Sequence, residues 1–267
     1  MNRKFRFLFL SLVVALGIGL AGTVVHVYSM WAAQSAPQWY LEGDKPGQAS
    51  IWGRFPHAEF GGTLAVGDVN GDGFDDLIAN ARDAPGIVQD SGEVYVIPGP
   101  LAFSETYTLP QVAAITFQAG WSSDEQMGIY LDSGDLNGDG FDDIVIGNWL
   151  SGRTYVYLGS ANIQASSPIT VAVSPETMAL TVYPARDGLV LCDFNQDGYQ
   201  DLFVERYPWD VSREQGLKVF GVLGSPTLTM TQPVSLSLPA DADITIQGFS
   251  PGEWSAPTFK DMACGDP

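Results

Sequence analysis

Three copies of one nine-residue loop constrain this chain more than any other feature. They read Asp68-Val-Asn-Gly-Asp-Gly-Phe-Asp-Asp76, Asp135-Leu-Asn-Gly-Asp-Gly-Phe-Asp-Asp143 and Asp193-Phe-Asn-Gln-Asp-Gly-Tyr-Gln-Asp201. Side-chain oxygens fall at positions 1, 3, 5 and 9, a pattern that lets a short loop wrap a hard cation. Calcium takes about six to eight oxygen ligands, and alternating Asp and Asn side chains plus a backbone carbonyl can supply them. The expected ligands are Asp68, Asn70, Asp72 and Asp76, then Asp135, Asn137, Asp139 and Asp143, then Asp193, Asn195, Asp197 and Asp201. Position 7 is aromatic each time (Phe74, Phe141, Tyr199), so only its carbonyl can serve. The glycine at position 6 suits the sharp turn. Asp75 and Asp142, at position 8, are expected to point away from the ion and to be expendable.

Asn-Gly and Asp-Gly are also ordinary hairpin-turn chemistry. A turn alone does not account for three carboxylates in every copy. Crowded without a cation they repel, and one takes up a proton. Oxygen-only donors favour calcium among the common ions, giving about three sites.

The EF-hand requires a glutamate at position 12 and flanking helices. Here position 12 is Ala79, Ile146 or Val204, which also argues against a dockerin-type repeat. The residues after each loop, Asp76-Leu-Ile-Ala, Asp143-Ile-Val-Ile and Asp201-Leu-Phe-Val, read as buried strands. Strand-like runs also precede each loop, at 62–66, 128–131 and 188–191. A third set follows at 92–99, 152–159 and 216–224, and a fourth at 114–118, 179–183 and 243–247. Four strands per repeat predict an all-β fold, a β-propeller of four-stranded antiparallel blades. A single blade cannot bury both of its faces, so each must stack on its neighbours.

These residues resemble the FG-GAP repeat of integrin α propellers and of many bacterial secreted proteins. Phe60-Gly61 opens the first copy, Met127-Gly128 the second and Asp187-Gly188 the third. The Gly-Ala-Pro element of the family is replaced by Ala79-Asn-Ala81, Gly147-Asn-Trp149 and Glu205-Arg-Tyr207. The resemblance spans residues 50–267 and implies a non-catalytic, calcium-stabilised propeller of bacterial type. Met262-Ala-Cys-Gly-Asp-Pro267 aligns with Leu64-Ala-Val-Gly-Asp-Val69, the inner strand of a fourth blade. The chain is therefore expected to be the start of a longer ring of about seven blades. Ser50-Ile-Trp-Gly53 matches the fourth-strand position of a blade.

Arg3, Lys4 and Arg6 precede an uncharged apolar stretch from Phe7 to Val25, the pattern of an export leader. Cleavage after Ala33-Gln-Ser35 and retention as a membrane anchor through residues 7–27 are both open. The expected organisation is a leader over 1–35, a linker over 36–49 and the repeats over 50–267. A net charge of −19 argues against nucleic acid or anionic lipid as partner. Cys192 and Cys264 fall on equivalent inner strands of successive blades, expected to stand too far apart for a disulfide. Trp121, Trp149, Trp209 and Trp254 lie in connections, where packing is favoured over a ligand-contact role.

The histidines are His26 and His57, and no nucleophile stands in a catalytic context beside them. The expected function is extracytoplasmic, in surface adhesion or in binding a protein or glycan ligand. The alternative is the accessory propeller of an exported, polysaccharide-active enzyme whose catalytic domain lies elsewhere.

Overall fold

Each nine-residue loop joins two antiparallel strands in the computed structural model, which describes residues 13–16, 23–28, 48–102, 105–120, 126–185, 188–206 and 218–247. Three strands precede the repeats: β1 (Val13–Leu16), β2 (Thr23–Tyr28) and β3 (Gln48–Trp52). The first repeat contains β4 (Phe60–Gly67), β5 (Asp76–Ala81), β6 (Glu93–Ile97), β7 (Thr106–Thr108) and β8 (Ile115–Ala119). The second contains β9 (Met127–Gly134), β10 (Asp143–Asn148), β11 (Thr154–Tyr157), β12 (Ile169–Val173) and β13 (Leu180–Tyr183). The third contains β14 (Gly188–Cys192), β15 (Asp201–Arg206), β16 (Lys218–Val222), β17 (Val234–Ser237) and β18 (Ile244–Gln247).

Four strands of each repeat pair antiparallel in order: β4-β5-β6-β8, β9-β10-β11-β13 and β14-β15-β16-β18. This is the all-β architecture expected from the sequence. The remaining strand of each repeat does something the sequence did not announce. β12 pairs parallel with β8 of the preceding repeat, with Ile169 opposite Ile115, and β17 pairs parallel with β13, with Val234 opposite Leu180. β7 lies parallel on β3 in the same way, with Thr106 opposite Ser50. Each repeat thus covers the outer edge of the one before it, which removes a row of unpaired backbone groups. By the same rule β3 stands where β8 and β13 stand.

The two-residue period of a strand sorts side chains between neighbouring cores. On β6, Val94 and Val96 enter the core between the first and second repeats, while Tyr95 and Ile97 enter a core shared with Ile51 and Leu109. On β10, Ile144 and Ile146 face the first repeat and Val145 faces the third. Leu202 and Val204 of β15 close that second interface. β5 and β10 are buried along their whole length, which is why they read as continuous apolar runs rather than alternating ones.

Two features of the structure were not read from the sequence. Within the apolar leader, the described residues are strands: β1 pairs antiparallel with β2, and β2 pairs parallel with β3. Thr23, Val24, Val25 and Val27 are β-branched, which suits strand backbone, and β3 offers an edge. Among the described residues no helix is long and apolar enough to cross a membrane. Cys192, whose strand position argued against a disulfide, is disulfide-bonded, and the chain's other cysteine, Cys264, lies outside the described residues. The amide of Leu191, next to Cys192, donates to Asp132 Oδ2 on β9 at 2.8 Å. The fourth-blade strand at 262–267 and Trp121, Trp209 and Trp254 also lie outside the described residues, whereas Trp149 is half-buried in the turn after β10.

Candidate cation loops

Asp68 organises the first loop. Its Oδ1 accepts from the amides of Gly71 at 2.7 Å and Asp72 at 3.0 Å, and its Oδ2 from Gly73 at 2.9 Å. Asn70 Oδ1 accepts from Asp72 at 2.9 Å, and Asp72 Oδ1 from the amide of Phe74 at 3.0 Å. The second loop repeats this arrangement: Asp135 holds the amides of Gly138, Asp139 and Gly140, and Asp139 holds that of Phe141. In the third, Asp193 holds Asp197 and Gly198, Asn195 holds Asp197, and Asp197 holds Tyr199. Asn137 and Asn195 each donate through Nδ2 to the next aspartate, Asp139 and Asp197.

The position-9 carboxylates, Asp76, Asp143 and Asp201, are fully buried under their loops. Asp76 bridges the amides of Val69 and Gly99, Asp143 those of Leu136 and Gly159, and Asp201 those of Phe194 and Gly224. Each therefore ties its loop to the far end of the third strand. Burial pushes Asp76 up to about 7; the Gly99 amide opposes the shift and the Asp72 and Asp68 charges add to it. Burial likewise pushes Asp143 up to about 7, against the Gly159 and Leu136 amides and with Asp139 and Asp135 adding.

The structure sets positions 1, 3 and 5 in one hydrogen-bonded turn in all three copies and ties position 9 to the position-2 amide, with the oxygens turned largely toward backbone N–H groups. Among the described residues no three acidic or histidine side chains meet at metal-ligand spacing. The donor chemistry still fits a hard cation. Every candidate side chain offers oxygen, a carboxylate oxygen holding one N–H retains a second lone pair, and a buried acid beside two other carboxylates is a place where positive charge relieves repulsion.

Contacts between loops were not legible in the motif. The amide of Asp142 donates to the Asp68 carbonyl at 3.0 Å, and the Asp68 amide donates back to Asp142 Oδ2 at 2.9 Å. Asp142 is thus anchored on the neighbouring loop, a contact that the expectation of an expendable position 8 left out. Gln200, its counterpart, donates through its backbone N–H to the Asp135 carbonyl at 2.9 Å. The backbone amides of Ser160 and Ser225 donate to the carbonyls of Val69 and Leu136 at 2.9 and 2.8 Å. The Phe141 ring lies on Gly71 and the Tyr199 ring on Gly138. A glycine at position 4 in two copies was the available signal, since glycine permits close approach.

A repeated loop–strand unit that stacks edge to edge in this way defines a class of repeat β-protein, and comparison with known proteins places the chain within it. The FG-GAP repeat family matches residues 60–97 and an FG-GAP-like repeat family matches residues 135–204. The chain is an FG-GAP repeat protein of integrin α-like type. It is similar to integrin alpha-PS2 of Drosophila melanogaster, 30% identical over 176 residues that cover 60% of this chain and 12% of that protein. It is similar also to a phosphatidylinositol-glycan-specific phospholipase D of Dictyostelium discoideum, 31% identical over 58% of this chain and 18% of that protein. Integrin alpha-8 of Gallus gallus is 30% identical over 54% of this chain and 14% of its own length. The chain thus spans less than a fifth of each of these relatives.

Proposed function

We propose that this chain is an exported, calcium-stabilised propeller segment that binds a protein or glycan ligand and carries no catalytic site of its own. The observation that carries the metal assignment is the repeated burial of a position-9 carboxylate beside two further aspartates, with oxygen donors at every ligand position. Asp68, Asn70, Asp72, Asp76 and the Phe74 carbonyl would hold the first ion, and the corresponding residues of the other loops the second and third. Bound calcium would supply positive charge that offsets carboxylate repulsion and draws each hairpin tip together. Extracellular modules of this kind bind with Kd of about 10⁻⁴–10⁻³ M, so the ions act as clips that fill outside the cytoplasm.

Export is supported by the basic, then apolar, N-terminus, read either as a cleaved leader or as an anchor through residues 7–27. Similarity to integrin α chains supports a role in adhesion or ligand binding at the surface, and the acidic charge makes nucleic acid a poor partner. Ring closure through further blades is part of the same proposal, supported by β3 standing in an outer-strand position against β7. The similarity to a phospholipase D supports a second possibility, in which the propeller is the accessory part of an exported enzyme. Fold similarity does not decide between them.

Calorimetric titration with calcium, paired with thermal melts in calcium and in chelator, tests the metal assignment. The expected result is about three sites and a higher melting temperature in calcium. Absence of both heat and shift overturns it.

A further inference from the structure

The geometry points to Asp142 as a positioning residue for the loop that precedes its own, and to calcium sites that are coupled along the row of blades rather than independent. This rests on the calcium reading above and goes beyond it. Asp142 lies between two expected ligands of the second loop, the Phe141 carbonyl and Asp143. Its amide and its carboxylate both engage Asp68, the first ligand of the first loop, at 3.0 and 2.9 Å. The preceding residue, Phe141, lays its ring on Gly71, whose amide is itself held by Asp68 Oδ1 at 2.7 Å. Fixing residues 141 and 143 in the second loop therefore fixes the backbone of Asp68 and the turn that its carboxylate organises. By reciprocity, ordering the first loop favours the second. The second and third loops share the Gln200 amide on the Asp135 carbonyl and the Tyr199 ring on Gly138, without the aspartate that adds the second bond between the first pair.

The amides of Gly73, Gly140 and Gly198 each donate to the first aspartate of their own loop, so they report the three loops separately. The test follows these amides by NMR in the glycine-labelled full chain as calcium is added. Asp142→Ala is expected to raise the calcium midpoint of Gly73 about three- to tenfold and, by the same reciprocity, to raise that of Gly140 by no more than that factor. Asp142→Asn, which keeps an oxygen acceptor for the Asp68 amide, is expected to restore most of it. Asp139→Ala, an exposed change that disables the second loop, is expected to raise the Gly73 midpoint by a similar factor. A Gly73 midpoint within about twofold of the unmodified chain in both alanine variants overturns the coupling. If either variant fails to fold, the unmodified chain decides: joint, steep Gly73 and Gly140 curves support coupling, and independent hyperbolic ones overturn it. If none of the three amides responds to calcium in the unmodified chain, the metal reading falls and the coupling falls with it.

Discussion

The Phe141 ring occupies the space that a side chain on Gly71 would need: a Cβ built there overlaps Phe141 Cε1 and stands 2.9 Å from Cδ1. Tyr199 holds the same relation to Gly138 in the next pair of loops, again with Cδ1 at 2.9 Å. Position 4 of the loop is therefore a seat for the aromatic residue of the following repeat. The same backbone lies in the left-handed region, with φ of 73° at Gly71 and 74° at Gly138.

The seat can be separated from the backbone preference by comparing two alanine variants. Gly73 also has positive φ, 86°, but a Cβ there meets nothing within 4 Å. Both Gly71→Ala and Gly73→Ala carry the left-handed cost of about 1–2 kcal/mol. Gly71→Ala must in addition displace the Phe141 ring, which adds about 1–3 kcal/mol. Denaturant unfolding in saturating calcium measures the gap. Equal losses would show that the ring does not hold its place on Gly71.

The third loop breaks the pattern at this position, with Gln196 at φ 60° and exposed. A side chain with a Cβ is strained there, so Gln196→Gly is expected to stabilise the chain by about 1 kcal/mol. A urea midpoint that stays put or falls would show that Gln196 makes a compensating contact.

Much of the fold was readable because each repeat carries its signals locally. The middle strands are buried on both sides and therefore appear as unbroken apolar runs, and the loops announce their own turns. What was not readable lies between repeats. β7, β12 and β17 are short and largely exposed, so nothing in their patterning marks them as partners of a strand about 55 residues earlier. Asp142 looked redundant beside Asp143, because its partner Asp68 belongs to another copy of the same motif. Asp132 carries no motif at all, yet it bridges two inner strands through the Leu191 amide.

Asp132 gives the chain a pH dependence that can be isolated. Burial raises its carboxyl above the ordinary aspartate range, against the Leu191 and Ser133 amides. A raised folded-state value means that its stabilising contribution is full below the unfolded pKa and is lost as pH rises through the folded one. Asp132→Asn keeps one oxygen acceptor and removes the ionisation, so it loses one of the two amide bonds at every pH. The stability difference between variant and unmodified chain should then shift in the variant's favour as pH rises from about 4 toward neutrality. Shifts of Asp76 and Asp143 are common to both proteins and cancel. A difference that is flat with pH would remove Asp132 from the account.

Position 2 of the loop shows how strongly each repeat depends on the next. Val69 and Leu136 are 0% and 1% exposed, covered by the second and third repeats, whereas Phe194 in the third loop is 58% exposed. Leu136→Ala is expected to cost about 2–5 kcal/mol, because it empties a packed interface between blades. Phe194 is left with an edge-to-face contact to Phe203, its ring centroid 5.4 Å away. Such a contact contributes about 0.5–1.5 kcal/mol, so Phe194→Ala should cost about 1 kcal/mol. Thermal and denaturant unfolding of the two variants, run at several protein concentrations, compares them directly. A Phe194→Ala loss as large as that of Leu136→Ala would show that another surface covers this ring in solution. A loss that grows with concentration would identify that surface as a second copy of the chain.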